Sequence, residues 1–377
     1  MEDGKMPIPY TAVTKGAPEP EFQLTVVTVC RNALAELMPT VESVLAQKAK
    51  GSISIEHVVV DGASTDGTPE WLAEQLAAGN IERYVSEPDR GIYDAMNKGI
   101  NLARGRVLTF MNAGDTYTDE DISCCVTPIL EGKAKSAAGA TLYIEPGAAG
   151  GWEMHPDTVR AYIDIIGCHQ AYFFDTAATR DLGGYDSEAF RSAADLELMN
   201  SFLRRYGMPH CDHTFVANFY MGGFSSNCWE TQRHEFIEIH WRSWEHICER
   251  CRQDRRLAEV LCAIVARHCC ILGLGLKCRR NNISEEKEHL RQMVRTLPLP
   301  PSLYSRRLLL AVTYAVAFAP GLPHPCRVRL LHACEYLCAT TKRPPSLFIT
   351  HLAKERLFLP RAIWHSILNI IRKIARR

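Results

Sequence analysis

The stretch VVVDGASTDGT, residues 58–68, joins a run of β-branched residues to the start of a helix. Three valines predict a buried strand, and Asp61 stands at the end of that strand. Asp66 or Thr65 suits the cap of the following helix, and Pro69 suits its first turn. The stretch therefore predicts a strand–helix unit with a carboxylate at the carboxyl end of the strand.

The same alternation of strand and helix extends from Phe22 to about Asp115. Strands are predicted over residues 24–30, 56–62, 81–87 and 106–112, and helices over 33–47, 68–80 and 93–105. Pro39 interrupts the first helix early, and Gly105 is expected to end the third. Alternation of this kind predicts the α/β class, with a mainly parallel, doubly wound and twisted sheet.

Polar side chains follow each of the four strands. They are Asn32 after the first strand, Asp61 after the second, Asp89 and Arg90 after the third, and Asn112 and Asp115 after the fourth. Because ligands of such sheets bind outside the carboxyl ends of the strands, we expect these side chains to lie along one rim. Helix capping does not account for a cation among several carboxylates, whereas a charged ligand with a metal ion does.

The residues after the first strand exclude several classes of protein. The segment TVCRNALAE, residues 28–36, has neither the glycines of a dinucleotide-binding turn nor a phosphate-binding P-loop. A divalent cation held by carboxylates is the usual alternative for handling a pyrophosphate.

The chain has 43 basic and 43 acidic residues, so its net charge is zero and nucleic acid is not an expected partner.

The cysteines and the N-terminal residues indicate a cytoplasmic setting. Residues 1–20 are rich in Pro, Gly and Ala and are interpreted as a flexible leader without a secretory signal. Without such a signal, the 15 cysteines indicate reduced thiols rather than a disulfide scaffold. Cys248 and Cys251 form the only CxxC pair, for which reduced thiols on a helix are favoured over a metal site.

Four segments in order resemble the successive motifs of the family-2 glycosyltransferases. They are TVVTVCRN (25–32), VVVDGASTDGT (58–68), SEPDRGIYDAMNKGI (86–100) and LTFMNAGD (108–115). The resemblance covers about residues 22–225 and is to the bacterial branch that builds exopolysaccharide, capsule and lipopolysaccharide. It implies the GT-A type nucleotide-sugar-binding fold, an activated sugar donor, a divalent cation and inversion at the anomeric carbon.

The resemblance also implies roles for individual residues. Asp61 matches the carboxylate that contacts the base or ribose of the donor. Six further residues in the same motifs are expected to bind the nucleotide sugar, namely Asn32, Asp89, Arg90, Asp94, Asn97 and Asn112. Asp115 matches the last acid of the D-x-D metal signature, and Asn112 replaces the first. Mg²⁺ or Mn²⁺ is still expected, because one carboxylate with diphosphate oxygens and water can hold it.

A second group of matching residues lies in GCHQAYFFDTAATRDLGGYDSEAFRSAADLEL, residues 167–198. Asp195 matches the catalytic base of the family, although the residues alone would favour it as the cap of a helix beginning near Leu196. His169 and Gln170 match a pair that follows the metal site. A buried core histidine and a ligand contact both remain open for His169.

The C-terminal part of the chain follows a different pattern. We divide the chain into a leader (1–20), a GT-A catalytic domain (21–228) and a helical C-terminal region (229–377). The apolar stretch 257–276 is interrupted by charged residues. The apolar stretch 308–322 is shorter than the roughly 20 residues that a helix needs to span a bilayer. The last 18 residues combine an isoleucine face with a basic end, which favours contact with an anionic membrane surface.

These observations lead to one functional hypothesis and two alternatives. The expected enzyme moves one sugar from a nucleotide-diphosphate donor, with UDP favoured, to a lipid-linked or oligosaccharide acceptor, peripherally on the inner face of the plasma membrane. The Q-x-x-R-W signature of processive relatives is missing, which favours a single addition. The alternatives are a nucleotidyltransferase, which usually has a glycine-rich basic signature after the first strand, and a non-catalytic sugar-nucleotide-binding scaffold.

Overall fold

The computed structural model describes residues 21–145, 151–158, 161–162, 164–222, 229–253 and 283–297, together with positions 261, 264–266, 268, 269, 313 and 317. The leader, most of the two apolar stretches and the C-terminal isoleucine-rich segment lie outside the described residues. Their predicted properties therefore stay predictions.

The N-terminal half of the sheet is parallel and has helices between its strands. Its strands are β1 (Phe22–Cys30), β2 (Ile55–Asp61), β3 (Arg83–Ser86) and β4 (Gly105–Phe110), in the spatial order β3-β2-β1-β4. The helices are α1 (Leu34–Lys50), α2 (Thr68–Ala77) and α3 (Ile92–Leu102). All seven residues of β2 are buried, as its continuous apolar run predicts. The predicted α/β class is confirmed.

Two predicted helix boundaries were wrong. Helix α1 continues through Pro39, because the carbonyl that loses its partner belongs to exposed Ala35, where water can reach it. Helix α3 ends at Leu102, and Gly105 begins β4 instead of ending the helix. A Cβ on Gly105 would lie 2.4 Å from the amide nitrogen of Thr25, so glycine permits the close approach of β1 and β4.

The second half of the sheet is mixed. It adds β5 (Thr116–Tyr117), β6 (Ser136–Ile144), β7 (Gly151–Met154), β8 (Tyr172–Asp175) and β9 (His210–Tyr220), which makes nine strands within the described residues. Strand β8 joins β4 and β6 in antiparallel orientation, β6 and β9 are parallel, and β5 and β7 lie antiparallel to β9 and β6. Helices α4 (Ser123–Leu130), α5 (Thr176–Asp181) and α6 (Ala194–Tyr206) complete this half.

Three further helices pack against the sheet and the helices that cover it. They are α7 (Trp229–Arg242), α8 (Trp244–Gln253) and α9 (Ile283–Thr296). Ile237 of α7 and Leu290 of α9 belong to the same buried hydrophobic cluster as Met96 of α3 and Phe202 of α6. Burial in one shared cluster couples the stability of these helices to that of the sheet.

The cysteine pair and the question of membrane spans concern this helical region. Cys248 and Cys251 are buried on α8 within the shared apolar cluster. Among the residues that the structure describes, no group of three or more His, Cys, Asp or Glu side chains is placed to hold a metal ion. A helix long and apolar enough to cross a membrane is likewise not found in the described ranges.

Candidate active site

The loops after the parallel strands are hydrogen-bonded to one another at one edge of the sheet. Asn32, in the left-handed region at φ 49°, accepts the Thr65 amide proton on Oδ1 at 2.8 Å. The Glu87 amide donates to the Asp61 carbonyl at 3.0 Å, and the Ala113 amide donates to the carbonyl of Val29 at 3.2 Å. The loops that carry the polar residues thus lie side by side along one rim.

Asp61 lies beneath this rim with no exposed surface. Its Oδ2 accepts the Ser64 amide at 3.0 Å and the Ser86 hydroxyl at 2.6 Å, and its Oδ1 accepts the Ser64 hydroxyl. Ser64 in turn accepts the amide of Asn32 at 2.6 Å. The carboxylate therefore ties three loops together, and a direct contact with a donor remains a prediction.

Three ion pairs occupy the rim after β3, and one of them joins Glu87 to Lys98 at 2.9 Å. Arg90 donates from Nη2 and Nε to Oδ1 of Asp94 at 2.7 and 3.2 Å, and the Arg90 side chain is 73% exposed. Asp89 pairs with Lys98 at 2.6 Å. A Cβ on Gly62 would lie 2.9 Å from Oδ2 of Asp89, so the glycine allows this carboxylate to approach the loop after β2 closely. Each charge here has an internal partner, but the Arg90 pair is exposed and contributes little to stability, so Arg90 can exchange Asp94 for an anion.

The pKa of Asp94 reflects its position at the start of α3. Burial raises this pKa, but the hydrogen bonds from the Arg90 side chain and amide, together with its positive charge, lower it further than burial raises it. Asp94 therefore stays ionised and holds Arg90 at the rim.

Asn97 is hydrogen-bonded to the backbone of Tyr185. Its Oδ1 accepts the Tyr185 amide and its Nδ2 donates to the Tyr185 carbonyl, both at 2.8 Å. Gly184 makes room for this pair, since a Cβ there would lie 2.5 Å from Oδ1 of Asn97. In this structure Asn97 joins α3 to the turn before α6, and its proposed contact with the donor is untested.

Asp115 is a buried acid between β4 and β5. Its Oδ2 accepts from Nε2 of Gln170 at 2.6 Å, and its Oδ1 accepts from the Tyr220 amide at 2.9 Å. Burial raises the pKa of Asp115 from 3.8 to about 7, although these two hydrogen bonds oppose the shift. Ionised Asp115 is thus a buried negative charge without a paired cation among the described residues.

Asn112 stands in the same turn. The Asp115 amide donates to the Asn112 carbonyl at 3.0 Å, and Oδ1 of Asn112 is buried with no hydrogen-bond donor in the described part of the chain. A buried oxygen of this kind is costly without a partner. The pair offers one carboxylate and one amide oxygen, the oxygen ligands that Mg²⁺ and Mn²⁺ take, so the turn fits a divalent cation.

Asp195 lies in the first turn of α6. This helix begins at Ala194 with Ala193 at its N-cap position, so Asp195 is not the N-terminal cap that its sequence position allowed. Its Oδ1 accepts from the Tyr93 hydroxyl at 3.0 Å and from the Leu196 amide at 2.9 Å. The contacts of Asp195 among the described residues are made by this one oxygen, which leaves Oδ2 available to a ligand.

His169 belongs to an aromatic group beside Asp195. Its Nε2 lies 2.7 Å from the Tyr185 hydroxyl, and its ring stacks on Phe110 at 5.2 Å. Burial lowers the pKa of His169, and the charge of Asp195 opposes this shift. The neighbouring Tyr93 and Tyr185 rings lie 5.3 Å apart. His169 is therefore a buried histidine with a hydrogen-bond partner, close to the acid proposed as base.

The pKa of Tyr143 responds to the charges of both acids. Burial is the main cause that raises the pKa of this phenol, the thiol of Cys168 contributes next, and the charges of Asp195 and Asp115 add to both. A chain of contacts also connects the two acids. Gln170 donates to Asp115, and the adjacent His169 lies 2.7 Å from the Tyr185 hydroxyl. The Tyr93 ring lies 5.3 Å from the Tyr185 ring, and its hydroxyl donates to Asp195.

Four residues near the site were not singled out from the sequence. Tyr93 and Lys98 lie within the motif SEPDRGIYDAMNKGI, and Tyr185 lies in GGYD, so the motifs themselves pointed to them. Glu235 accepts three backbone amides just before α6 and carries no motif signal.

The chain is similar in sequence to glycosyltransferases. Residues 25–190 match the family model "Glycosyl transferase family 2". The chain is 33% identical over 182 residues to a Mycobacterium tuberculosis (strain CDC 1551 / Oshkosh) protein described as "Uncharacterized glycosyltransferase MT1564", covering 47% of this chain and 67% of that protein. A "PGL/p-HBAD biosynthesis glycosyltransferase" of Mycobacterium bovis (strain BCG / Pasteur 1173P2) is 28% identical over 211 residues, 55% of this chain and 80% of that one.

A solved structure shares the fold. The crystal structure of S. aureus TarS 1-349 in complex with UDP-GlcNAc superposes with a TM-score of 0.56 at 15% identity, over 84% of this chain and 91% of that chain. The molecule is thus a glycosyltransferase with a GT-A type α/β fold. The chain belongs to glycosyl transferase family 2.

Proposed function

We propose that this enzyme moves one sugar from a nucleotide-diphosphate donor to a glycan acceptor by direct displacement with inversion. The observation that carries the proposal is the chain of contacts that connects Asp115 to Asp195 through Gln170, His169, Tyr185 and Tyr93. Asp115 is buried in the turn that we assign to the cation, and Oδ2 of Asp195 has no partner among the described residues. One acid as base and one as metal ligand is the minimum set for direct displacement.

In the proposed reaction Asp195 accepts the proton of an acceptor hydroxyl. The hydroxyl oxygen forms a bond to the anomeric carbon while the bond from that carbon to the diphosphate oxygen breaks, and the electron pair leaves with the diphosphate. Arg90, exposed at the rim, supplies positive charge to the departing diphosphate. Asn112 and Asp115 would hold Mg²⁺ or Mn²⁺, which neutralises diphosphate charge when bound.

The remaining rim residues bind the donor in this proposal. We assign the nucleotide to the loops of Asn32 and Asp61. The buried Asp61 carboxylate serves the site in this proposal by holding Ser64 and Ser86 in place. UDP is the donor nucleotide that the family resemblance favours. Gln170 supports the charge of Asp115 through its 2.6 Å hydrogen bond.

A saccharide acceptor is supported by an exposed aromatic ring beside the site. Trp152 is 51% exposed and stacks on Tyr143 at a centroid distance of 3.8 Å. Aromatic faces of this kind offer apolar contact to the C–H face of a sugar ring. Trp152 lies on β7, which pairs with β6. Strand β6 also pairs with β9, and the amide of Tyr220 at the end of β9 donates to Asp115.

We further propose a role in building cell-surface glycans on a lipid-linked acceptor, with the enzyme held peripherally at the inner membrane surface. The names of the related mycobacterial glycosyltransferases support the biosynthetic setting. The basic, isoleucine-rich end of the chain supports the membrane contact.

A donor screen tests this function. The enzyme is titrated by calorimetry with UDP-, GDP- and dTDP-sugars, with and without Mn²⁺, and transfer is measured to octyl glycosides of glucose, galactose, rhamnose and N-acetylglucosamine. We expect one nucleotide class to bind in a Mn²⁺-dependent manner and to support transfer. Asp115→Ala should remove the Mn²⁺ dependence, and Glu120→Ala, an exposed acid five residues away, should not. Metal-dependent donor binding without any turnover would favour the scaffold alternative.

A further inference from the structure

The start of helix α6, which carries Asp195, is held by a carboxylate from the C-terminal helical region. Glu235 on α7 is only 6% exposed. Its Oε1 accepts the Arg191 amide at 2.7 Å, and its Oε2 accepts the Ser192 and Ala193 amides at 3.0 and 2.9 Å. The Ser192 hydroxyl also donates to Oε2, at 3.2 Å.

Glu235 anchors the segment just before α6, a helix that has no N-terminal side-chain cap of its own. The first amides of a helix have no partner within the helix and usually find one in a side chain at the N-cap position. Here that position is Ala193, which has no capping side chain, and Asp195 uses its Oδ1 on Tyr93 and Leu196. Glu235 instead binds the three backbone amides that immediately precede the helix.

Other contacts of α7 fix the same segment. Nε2 of Gln232 donates to the Ser192 carbonyl at 3.1 Å. Arg242 pairs with Asp186 at 3.0 Å and lies 4.8 Å from the ring centre of Phe190. The segment 186–193 is therefore attached to α7 at both ends.

We propose that Glu235 is a positioning residue for Asp195, a role that rests on the proposed function. The Tyr93 hydroxyl, from α3, donates to Oδ1 of Asp195 at 3.0 Å. Tyr93 and Glu235 together set the direction of the free Oδ2 toward the acceptor hydroxyl. Because proton transfer depends on reach and angle, a shift of about 1 Å in this carboxylate can lower the rate by about a hundredfold.

The position of Glu235 predicts a specific split in kinetic effects. Glu235 contacts the segment before the base and none of the rim residues that we assign to the donor. Its loss should therefore lower kcat without weakening the binding of UDP. A residue that only stabilises the fold would lower the melting temperature and leave kcat of the folded enzyme unchanged.

The experiment compares Glu235→Ala and Glu235→Gln with Ile237→Ala in the full chain. Ile237 is fully buried on the same helix and packs in the shared apolar cluster, so its truncation controls for a loosened α7. Binding of UDP with Mn²⁺ is measured by calorimetry, stability by thermal unfolding, and kcat with the donor and octyl glycoside that support transfer in the wild type, at a temperature where all variants are folded.

We expect Glu235→Ala to lower kcat by about ten- to a hundredfold, with the Kd for UDP within about twofold of the wild type. Ile237→Ala should lose stability and keep its kcat. Glu235→Gln keeps one acceptor oxygen but turns an NH₂ group toward a backbone amide, so an intermediate kcat is expected. This variant also decides the matter if Glu235→Ala does not fold.

Two results would contradict the positioning role, and they differ in what they say about the proposed function. If the wild type transfers sugar and kcat of the Glu235 variants equals that of Ile237→Ala, the positioning role is overturned and the proposed function stands. If the wild type transfers sugar from no donor to any of the glycosides, the proposed function itself fails, and the positioning role fails with it.

Discussion

Replacing Asp115 by asparagine should change how the stability of the protein depends on pH. Burial raises the pKa of Asp115 from 3.8 to about 7, so the folded state binds the proton more tightly than the unfolded chain does. A group of this kind contributes stability that is fully present below the unfolded pKa and is lost as pH rises through the folded pKa. The variant has no carboxyl group at this position and should not lose that contribution.

The magnitude is set by the size of the shift. One pKa unit corresponds to about 1.4 kcal/mol, so the full shift is worth about 4 kcal/mol. Between about pH 5 and about pH 8 the wild type should lose roughly 3 kcal/mol of unfolding free energy relative to Asp115→Asn. The comparison uses the slope with pH, because the asparagine also turns an NH₂ group toward Nε2 of Gln170 and thereby shifts the absolute stability.

The assay is urea unfolding of both proteins without divalent metal at several pH values. Addition of Mn²⁺ at about pH 8 should stabilise the wild type and not the variant, because the ion binds the ionised carboxylate. Parallel stability curves for the two proteins would refute the reasoning, since they would mean that burial does not disfavour the charge of Asp115.

Three further predictions concern the rim, the turn before α6 and the acceptor side. Arg90→Ala should weaken donor binding about tenfold in calorimetry while the melting temperature stays close to that of the wild type, because its ion pair is exposed. Equal donor affinity in both proteins would remove Arg90 from the site. Asn97→Ala should cost about 2–3 kcal/mol in urea unfolding, because it leaves both backbone groups of Tyr185 without their partners; a loss below about 0.5 kcal/mol would contradict this. Trp152→Ala should raise KM for the octyl glycoside acceptor about tenfold with donor binding unchanged, and Trp152→Phe should raise this KM less. An unchanged KM in Trp152→Ala would exclude the stacking role.

The parallel half of the fold could be predicted from the sequence because β1, β2 and β4 are largely apolar runs separated by segments with helical spacing, although the boundaries of α1 and α3 were misplaced. Strand β2 is buried over its whole length, and Gly79 lies just beyond α2 with its amide bonded to the Leu76 carbonyl. The mixed half could not be derived in this way. Strand β5 has only two residues, and β9 pairs with strands that are distant in sequence. Pairings of this kind depend on tertiary packing and leave little periodicity in the chain.

The candidate site was predictable at the level of which loops meet, and less so at the level of individual contacts. The spacing of the strands placed Asn32, Asp89 and Asp115 on one rim, but it did not reveal that Asp61 is buried among serines. Its burial depends on Ser86, which comes from another strand. The role of Glu235 was out of reach for the same reason, because 40 or more residues separate it from the amides that it binds.

Asp195→Asn tests most directly whether Asp195 takes the proton of the acceptor hydroxyl, on which the proposed reaction depends. The asparagine can keep the hydrogen bonds to the Tyr93 hydroxyl and the Leu196 amide but has no basic oxygen to offer. Single-turnover transfer at saturating donor should slow by about a hundred- to ten-thousandfold, with the donor Kd unchanged. Transfer at the wild-type rate by this variant would show that Asp195 is not the base.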